Sequence, residues 1–203
     1  MKIYTKSGDK GITSLYDGNR ISKTELIFDI LGEFDELSSR IGVFFCFVKK
    51  ATLKVDNTEN YMSILLENIN YLRKIQINIQ DINSIIATVE KNKFVPTFTQ
   101  EKVNEIEQLI DNIEKINDKL TVFILPGENM CDAHGHLCRT QVRKVERFLW
   151  ELHNADFLIK GQKNDIDLSL ISVSDIILSY MNRLSDYFFV FCRFLVKTCD
   201  DNI

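Results

Sequence analysis

A chain of 203 residues is long enough for one substantial domain and short for two. Its 45% hydrophobic and 27% charged content is an ordinary globular balance, which excludes a disordered chain. A net charge of −4 excludes bulk attraction to nucleic acid or to an anionic membrane, and no apolar run reaches membrane-spanning length without a charge.

The first 20 or so residues form a polar arm, Tyr4-Thr5-Lys6-Ser7-Gly8-Asp9-Lys10-Gly11-Ile12-Thr13-Ser14 and onward to Lys23, with no hydrophobic periodicity. Gly8 and Gly11 permit positive φ, which lets successive N–H groups converge on an anion. Thr5, Ser7, Thr13 and Ser14 add hydroxyls, and Lys6, Lys10, Arg20 and Lys23 add charge. The spacing is not that of a Walker loop, and an exposed polar arm is the alternative. Met1-Lys2-Ile3-Tyr4 leads straight into this arm, so no signal or transit segment is read. Five cysteines without zinc-like spacing point to a reducing compartment. The expected location is the cytoplasm, or the mitochondrial matrix where a transit peptide has been removed.

Two prolines and eight glycines favour long helices over strands and turns. Apolar residues at helical spacing predict a first helix from Thr24 to Lys49 and a second from Glu59 to Lys91. A third runs from an N-cap at Thr99 to Asn117, and a fourth from Pro126-Gly127 to Asn154. A longer polar link, Ala155 to Asp167, precedes a fifth from Leu168 to Lys197. The fifth is apolar nearly all round (Tyr187, Phe188, Phe189, Val190, Phe191, Phe194, Leu195), so more than one of its faces must be covered. Long helices with short links predict an all-α, up-and-down five-helix bundle, one domain over 1–203 with an arm at 1–23 and helices over 24–198.

Arg139, Arg143, Glu146 and Arg147 share one face of the fourth helix, and arginine suits bidentate contact with phosphate or carboxylate. A solvated charged face is the alternative. On the first helix, Glu33, Asp35 and Glu36 offer partners for Arg139 or face solvent. On the fifth, Asn182 and Asp186 share a face with Phe189, and burying such groups unpaired is costly. His134, His136 and His153 do not form a metal triad, and no protein metal ligand is assigned.

Six segments in order resemble the PduO-type ATP:cob(I)alamin adenosyltransferases. Thr5 to Ser14 is similar to that family's T-R-T-G-D-x-G-x-T-S arm, and Arg20-Ile21-Ser22-Lys23 to its R-V-x-K element. Gly32-Glu33-Phe34-Asp35-Glu36-Leu37-Ser38-Ser39 resembles G-T-x-D-E-L-N-S, and Phe123-Ile124-Leu125-Pro126-Gly127 resembles F-x-L-P-G. His136 to Arg147 is similar to H-x-x-R-x-x-x-R-R-x-E-R, and Tyr180 to Asp186 to Y-L-N-R-L-S-D.

The resemblance implies a ferritin-like five-helix bundle with an N-terminal nucleotide-binding arm, assembled as a homotrimer with sites between subunits. It implies transfer of the 5′-deoxyadenosyl group of ATP to cobalt(I) of cobalamin or a related corrinoid, with Mg²⁺, releasing triphosphate. Thr5, Lys6, Ser7, Gly8, Asp9, Gly11, Thr13, Ser14 and Lys23 would hold the triphosphate. Arg143, Lys144, Glu146, Arg147 and Asn182 would complete the nucleotide site from a facing subunit. Asp35 and Arg139 would form an inter-subunit ion pair beside the corrinoid. Phe123 would block the lower face of cobalt, and Phe189 would touch the corrin. A flavin-type reductase is the implied supplier of cobalt(I). The departures are Lys6 and Ser7 for arginine and threonine, Lys144 for a second arginine, Glu128 for a glycine and Ser38 for asparagine. A non-catalytic cobalamin carrier on the same bundle is the alternative, but a carrier needs no triphosphate clamp.

Overall fold

The computed structural model describes residues 2–53, 58–89, 96–154, 158–159, 166–167 and 173–200. It contains the five expected helices. Helix α1 (Leu26–Lys50) buries Ile27, Ile30, Phe34, Leu37, Ile41, Phe44 and Val48, the stripe that its three-to-four spacing dictates. Lys49 and Lys50 in its last turn suit the negative end of the helix dipole. Helices α2 (Thr58–Ile86) and α3 (Gln100–Glu114) follow. Thr99 stands at the N-cap position of α3 in extended backbone, but its side chain makes no capping bond.

Helix α4 (Met130–His153) is capped by Asn129, whose side chain accepts from Asp132 N. Helix α5 (Asp175–Thr198) is capped by Ser174, whose hydroxyl accepts from Ile177 N at 3.4 Å. It therefore starts later than the predicted Leu168; residues 168–172 lie outside the described residues.

Helix α2 also ends earlier than Lys91, and the cause is tertiary. The arm captures the backbone groups that the next turn would use. Tyr16 N donates to Ala87 O at 3.1 Å, and Val89 N donates to Asp17 Oδ2 at 2.9 Å. Either bond competes with an i to i−4 helical bond, so the helix stops at Ile86.

Three two-stranded antiparallel ribbons were not expected. Strands β1 (Ile12–Ser14) and β2 (Arg20–Ser22) turn the arm into a hairpin in which Thr13 pairs with Ile21. Strand β3 (Thr52–Leu53) pairs with β6 (Cys199–Asp200), which ties the end of α1 to the end of α5. Strands β4 (Leu158–Ile159) and β5 (Ile166–Asp167) pair inside the long polar link.

Helix α5 sits between α3 and α4, α4 also packs on α1, and α1 packs on α2. Tyr180, Tyr187, Phe188, Phe191 and Phe194 are completely buried on α5. Phe44 of α1 meets Phe188 and Phe191 edge-on at centroid distances of 5.9 and 5.8 Å, the geometry that aromatic quadrupoles favour. A polar node crosses the core: Asn78 Nδ2 donates to Tyr180 Oη at 3.0 Å, and Lys102 Nζ donates to Asn78 Oδ1 at 2.6 Å and to Asp81 Oδ2 at 2.9 Å.

Gly135 makes room on α4 for side chains of α5 and α1. A Cβ there would lie 2.3 Å from Cys192 Sγ and 3.1 Å from the Phe44 ring. Gly135→Ala is therefore expected to overpack this seam and destabilise the fold by ~1–3 kcal/mol. Thermal unfolding should show a Tm lower by several degrees; an unchanged Tm would mean that the seam yields freely.

Candidate functional site

The arm is held as a shaped loop. Lys6 and Gly11 adopt φ of 60° and 76°, and Arg20 Nη2 donates to Ser7 O at 2.9 Å and to Ile12 O at 3.4 Å. Lys23 N donates to Gly11 O at 2.9 Å. The Lys23 ammonium lies over Gly8, where a Cβ would meet Nζ at 3.1 Å, so the glycine makes room for the charge. Thr5 Oγ1 and Ser7 Oγ are 2.8 Å apart. Leu15 and Ile21 are buried and anchor the hairpin on the helices, while Thr5, Lys6, Ser7, Asp9, Ser14 and Lys23 remain exposed. The sequence counts Arg20 among the arm's charges; the structure uses it to hold two loop carbonyls.

On α4, Thr140, Arg143, Lys144, Glu146 and Arg147 line an open hollow of about 230 Å³. Arg143 and Arg147 are exposed. Lys144 is not free in the same way: its Nζ donates to Glu33 Oε1 at 2.5 Å. Gln141 Nε2 donates to Glu33 Oε2 at 2.6 Å and to Glu33 O at 3.2 Å. Glu33 thus locks α1 to α4 beneath the hollow. Neither Glu33 nor Gln141 was assigned a site role from sequence. Their signal was present only in part, since Glu33 opens the acidic run but its partner lies 111 residues away. Glu146 Oε1 accepts from Asn182 Nδ2 at 3.1 Å, and Asn182 Oδ1 accepts from Arg183 Nη1 at 2.8 Å. Arg183 Nε reaches Glu107 on α3 at 2.9 Å. Glu146 and Asn182 are therefore brought together on one chain.

The arm and the hollow do not meet. No arm residue lines the hollow, and among the described residues no hydrogen bond or ion pair joins 5–14 to Arg143, Lys144 or Arg147.

At the start of α4, Gly127 at φ 112° closes the turn that follows Phe123. Phe123 itself is fully exposed, with Val122 and Leu125 also exposed beside it. Gly127 N and Glu128 N donate to Asp132 Oδ2 at 2.6 and 3.2 Å. Asp132 Oδ1 lies 3.2 Å from His136 Nε2, and Arg139 Nε donates to His136 Nδ1 at 2.9 Å. Phe189 is half-buried, its ring centroid 6.2 Å from that of His136. Asp35 is exposed on α1, and among the described residues no bond joins it to Arg139. Glu36, the other acid of that run, pairs with Arg40 at 2.5 Å.

The other two histidines have local roles: His134 stacks on Phe47 at 4.5 Å, and His153 Nδ1 contacts Val173 O at 2.9 Å. Asp132, His136 and Cys192 bring ligand-type atoms within 4.8 Å of one another in the core. The bond from Arg139 occupies Nδ1, which leaves the hydrogen of a neutral ring on Nε2, so that atom, 3.2 Å from Asp132 Oδ1, offers a metal no lone pair. Burial raises the Cys192 thiol well above its ordinary pKa, which disfavours the thiolate a metal needs.

The family model described as Cobalamin adenosyltransferase matches residues 3–195. The chain is 32% identical over 202 residues to the corrinoid adenosyltransferase MMAB of Bos taurus, covering 95% of this chain and 70% of that protein. It is 32% identical over 193 residues to the corrinoid adenosyltransferase of Bacillus subtilis, covering 95% and 86%. Among solved structures it is similar to a variant PduO-type ATP:corrinoid adenosyltransferase from Lactobacillus reuteri complexed with cobalamin and ATP, at TM-score 0.75, 26% identity and full coverage of both chains.

The Glu33 clasp has a pH signature. The hydrogen bond from Lys144 is the main cause that holds the Glu33 carboxyl below its ordinary value, against a smaller upward push from burial. A depressed carboxylate pKa stabilises the fold above the unfolded value and loses that contribution as pH falls through the folded one. The stability gap between wild type and Glu33→Gln should therefore be full at neutral pH and close below the usual glutamate pKa of about 4.3. Chemical denaturation at a series of pH values checks this; a gap constant to low pH would remove the clasp.

Proposed function

The chain belongs to the cobalamin adenosyltransferase family and is an ATP:corrinoid adenosyltransferase; we propose that it completes its nucleotide site from two protomers. The observation that carries this reading is the separation of the shaped arm from the Arg143–Arg147 hollow on one chain. A polyphosphate favours both halves, because the arm's ammonium groups, flexible point charges, are complemented by the planar guanidiniums of the hollow. A second copy that presents its hollow to the first copy's arm closes the clamp, and a closed ring of three such contacts is the assembly this reading favours. One domain, with arm 1–23 and helices 24–198, belongs to the same reading.

The reaction transfers the 5′-deoxyadenosyl group of ATP to cobalt(I) of cobalamin. The cobalt electron pair forms the bond to the 5′ carbon, and the bond from that carbon to the triphosphate oxygen breaks. Cobalt(I) is already a strong nucleophile, so the protein's tasks are positioning and leaving-group stabilisation. Thr5, Ser7, Gly8, Gly11, Thr13, Ser14 and the ammonium groups of Lys6 and Lys23 serve the triphosphate from one side. Arg143 and Arg147 serve it from the other.

Lys144 and Glu146 are the positioned members of the hollow, held by Glu33 and Asn182. A Mg²⁺ ion carried on the phosphates fits the hard oxygen donors Thr5, Ser7 and Asp9, and when bound it would neutralise charge on the phosphate oxygens.

The exposed Phe123 supports a role against the lower face of the corrin, where a bulky apolar group excludes an axial ligand and eases reduction to cobalt(I). Phe189 supports a corrin contact. Asp35 and the Nη atoms of Arg139, not joined to each other among the described residues, would pair across the subunit boundary. A flavin-type reductase and a cytoplasmic or mitochondrial-matrix site of action complete the proposal; no described helix is long and apolar enough to cross a membrane.

Purified protein with ATP, Mg²⁺ and chemically reduced cobalamin under anaerobic conditions should give the visible spectrum of adenosylcobalamin and free triphosphate. ATP bound without conversion would replace the enzyme by a carrier. Arg143→Ala should weaken ATP binding about 10- to 100-fold, the loss expected of one or two charged hydrogen bonds. Its thermal unfolding should match wild type because the side chain is exposed; unchanged ATP affinity would count against the clamp. Phe123→Ala should still bind corrinoid but adenosylate it slowly, and a wild-type rate would remove the lower-face role.

A further inference from the structure

The turn that presents Phe123 and the helix face that presents Arg139 are joined through two buried side chains. Asp132 and His136 are each more than nine-tenths buried. One carboxylate oxygen of Asp132 holds the Gly127 and Glu128 N–H groups at 2.6 and 3.2 Å. Its other oxygen lies 3.2 Å from His136 Nε2, and His136 Nδ1 receives Arg139 Nε–H at 2.9 Å. The spacing along α4 is four residues and then three, so the three side chains stack on one face.

A carboxylate at the third helical position often caps its own helix. Asp132 does more, since it reaches back past the Asn129 cap to the turn itself. An imidazole buried beside it is costly unless both ring nitrogens are engaged. Here Nδ1 is hydrogen-bonded to Arg139, and Nε2 sits 3.2 Å from the Asp132 carboxylate, close to it but outside good hydrogen-bond geometry. The bond to Arg139 Nε also leaves Nη1 and Nη2 as the edge available to a carboxylate.

We propose that Asp132 and His136 are positioning residues for adenosylation: they hold the Arg139 guanidinium at a set distance from the root of the turn that carries Phe123. The aromatic beside the corrin and the cation at the subunit boundary then move as one unit. This rests on placing Phe123 and Arg139 at the corrinoid, as proposed above.

The test uses the full-length protein in the anaerobic adenosylation assay. His136→Asn keeps an acceptor near Nδ1 and loses the contact to Asp132; His136→Gln keeps a donor near Nε2 and loses the acceptor for Arg139. Asp132→Asn keeps the shape of the turn and loses the carboxylate. Each should lower kcat about tenfold or more, the scale of a sub-ångström misplacement, with the KM for ATP within about twofold of wild type. The same substitutions in a Phe123→Ala background should cost less, because the aromatic against which the link holds Arg139 in register is gone.

Variants indistinguishable from wild type in kcat, or losses that add fully to that of Phe123→Ala, would overturn the role. If Asp132→Asn does not fold, the two histidine variants carry the test. A wild type that forms no adenosylcobalamin would overturn the reaction and this role together. An active wild type with indifferent variants would overturn the role alone.

Discussion

Helix α5 has almost no face to give to water, and the rest of the structure follows from covering it. Tyr180, Tyr187, Phe188, Phe191 and Phe194 lose all their exposure, and burying each such side chain is worth roughly 1.5–3 kcal/mol. The cover comes from α3 on one side and α4 on the other, with Phe44 of α1 closing the gap between them. Because α4 must lie close to α5, it carries Gly135 where side chains of α5 and α1 need the room. Its inner face is then committed to packing, and its outer face is left for polar work.

That outer face divides its charges in a useful way. Lys144 is held by Glu33, and Glu146 by Asn182, which is itself bonded to Arg183. Arg143 and Arg147 stay exposed between them. Anchored members define where the hollow is, and the exposed guanidiniums supply positive charge that, among the described residues, no acid pairs with. On a chain with a net charge of −4, such uncancelled charge is the signature of a site built for an anion. The arm solves a different problem. Positive φ at Lys6 and Gly11, with Arg20 gripping two carbonyls, fixes a polar loop that has no core of its own.

Most of the fold was legible because its signals are local. Apolar spacing placed all five helices, and the family's segments lie in the expected order along them. The misses were non-local or unweighed. Helix α2 stops at Ile86 because Tyr16 and Asp17 take its next backbone groups, and no periodicity in 59–91 carries that information. The β3–β6 ribbon joins positions almost 150 residues apart in chain order. Asp132 was readable in principle, four residues before His136 on one helix face. An acid one turn before a histidine is as readily a solvated pair, and only its bonds from Gly127 N and Glu128 N show that it joins the turn to the helix.

The sequence by itself determined the helix number, the buried faces and the chemical kinds of residue available: an arm of glycines and hydroxyls, and an arginine face. These follow from period and residue type, which need no partner. Only the tertiary structure decided who meets whom: Glu33 with Lys144, Asn182 with Glu146, the arm with the end of α2, and the arm kept apart from the arginine hollow on the same chain. Periodicity reports which face is buried but not which neighbour covers it. Partnerships between side chains far apart in the chain are settled when the helices pack.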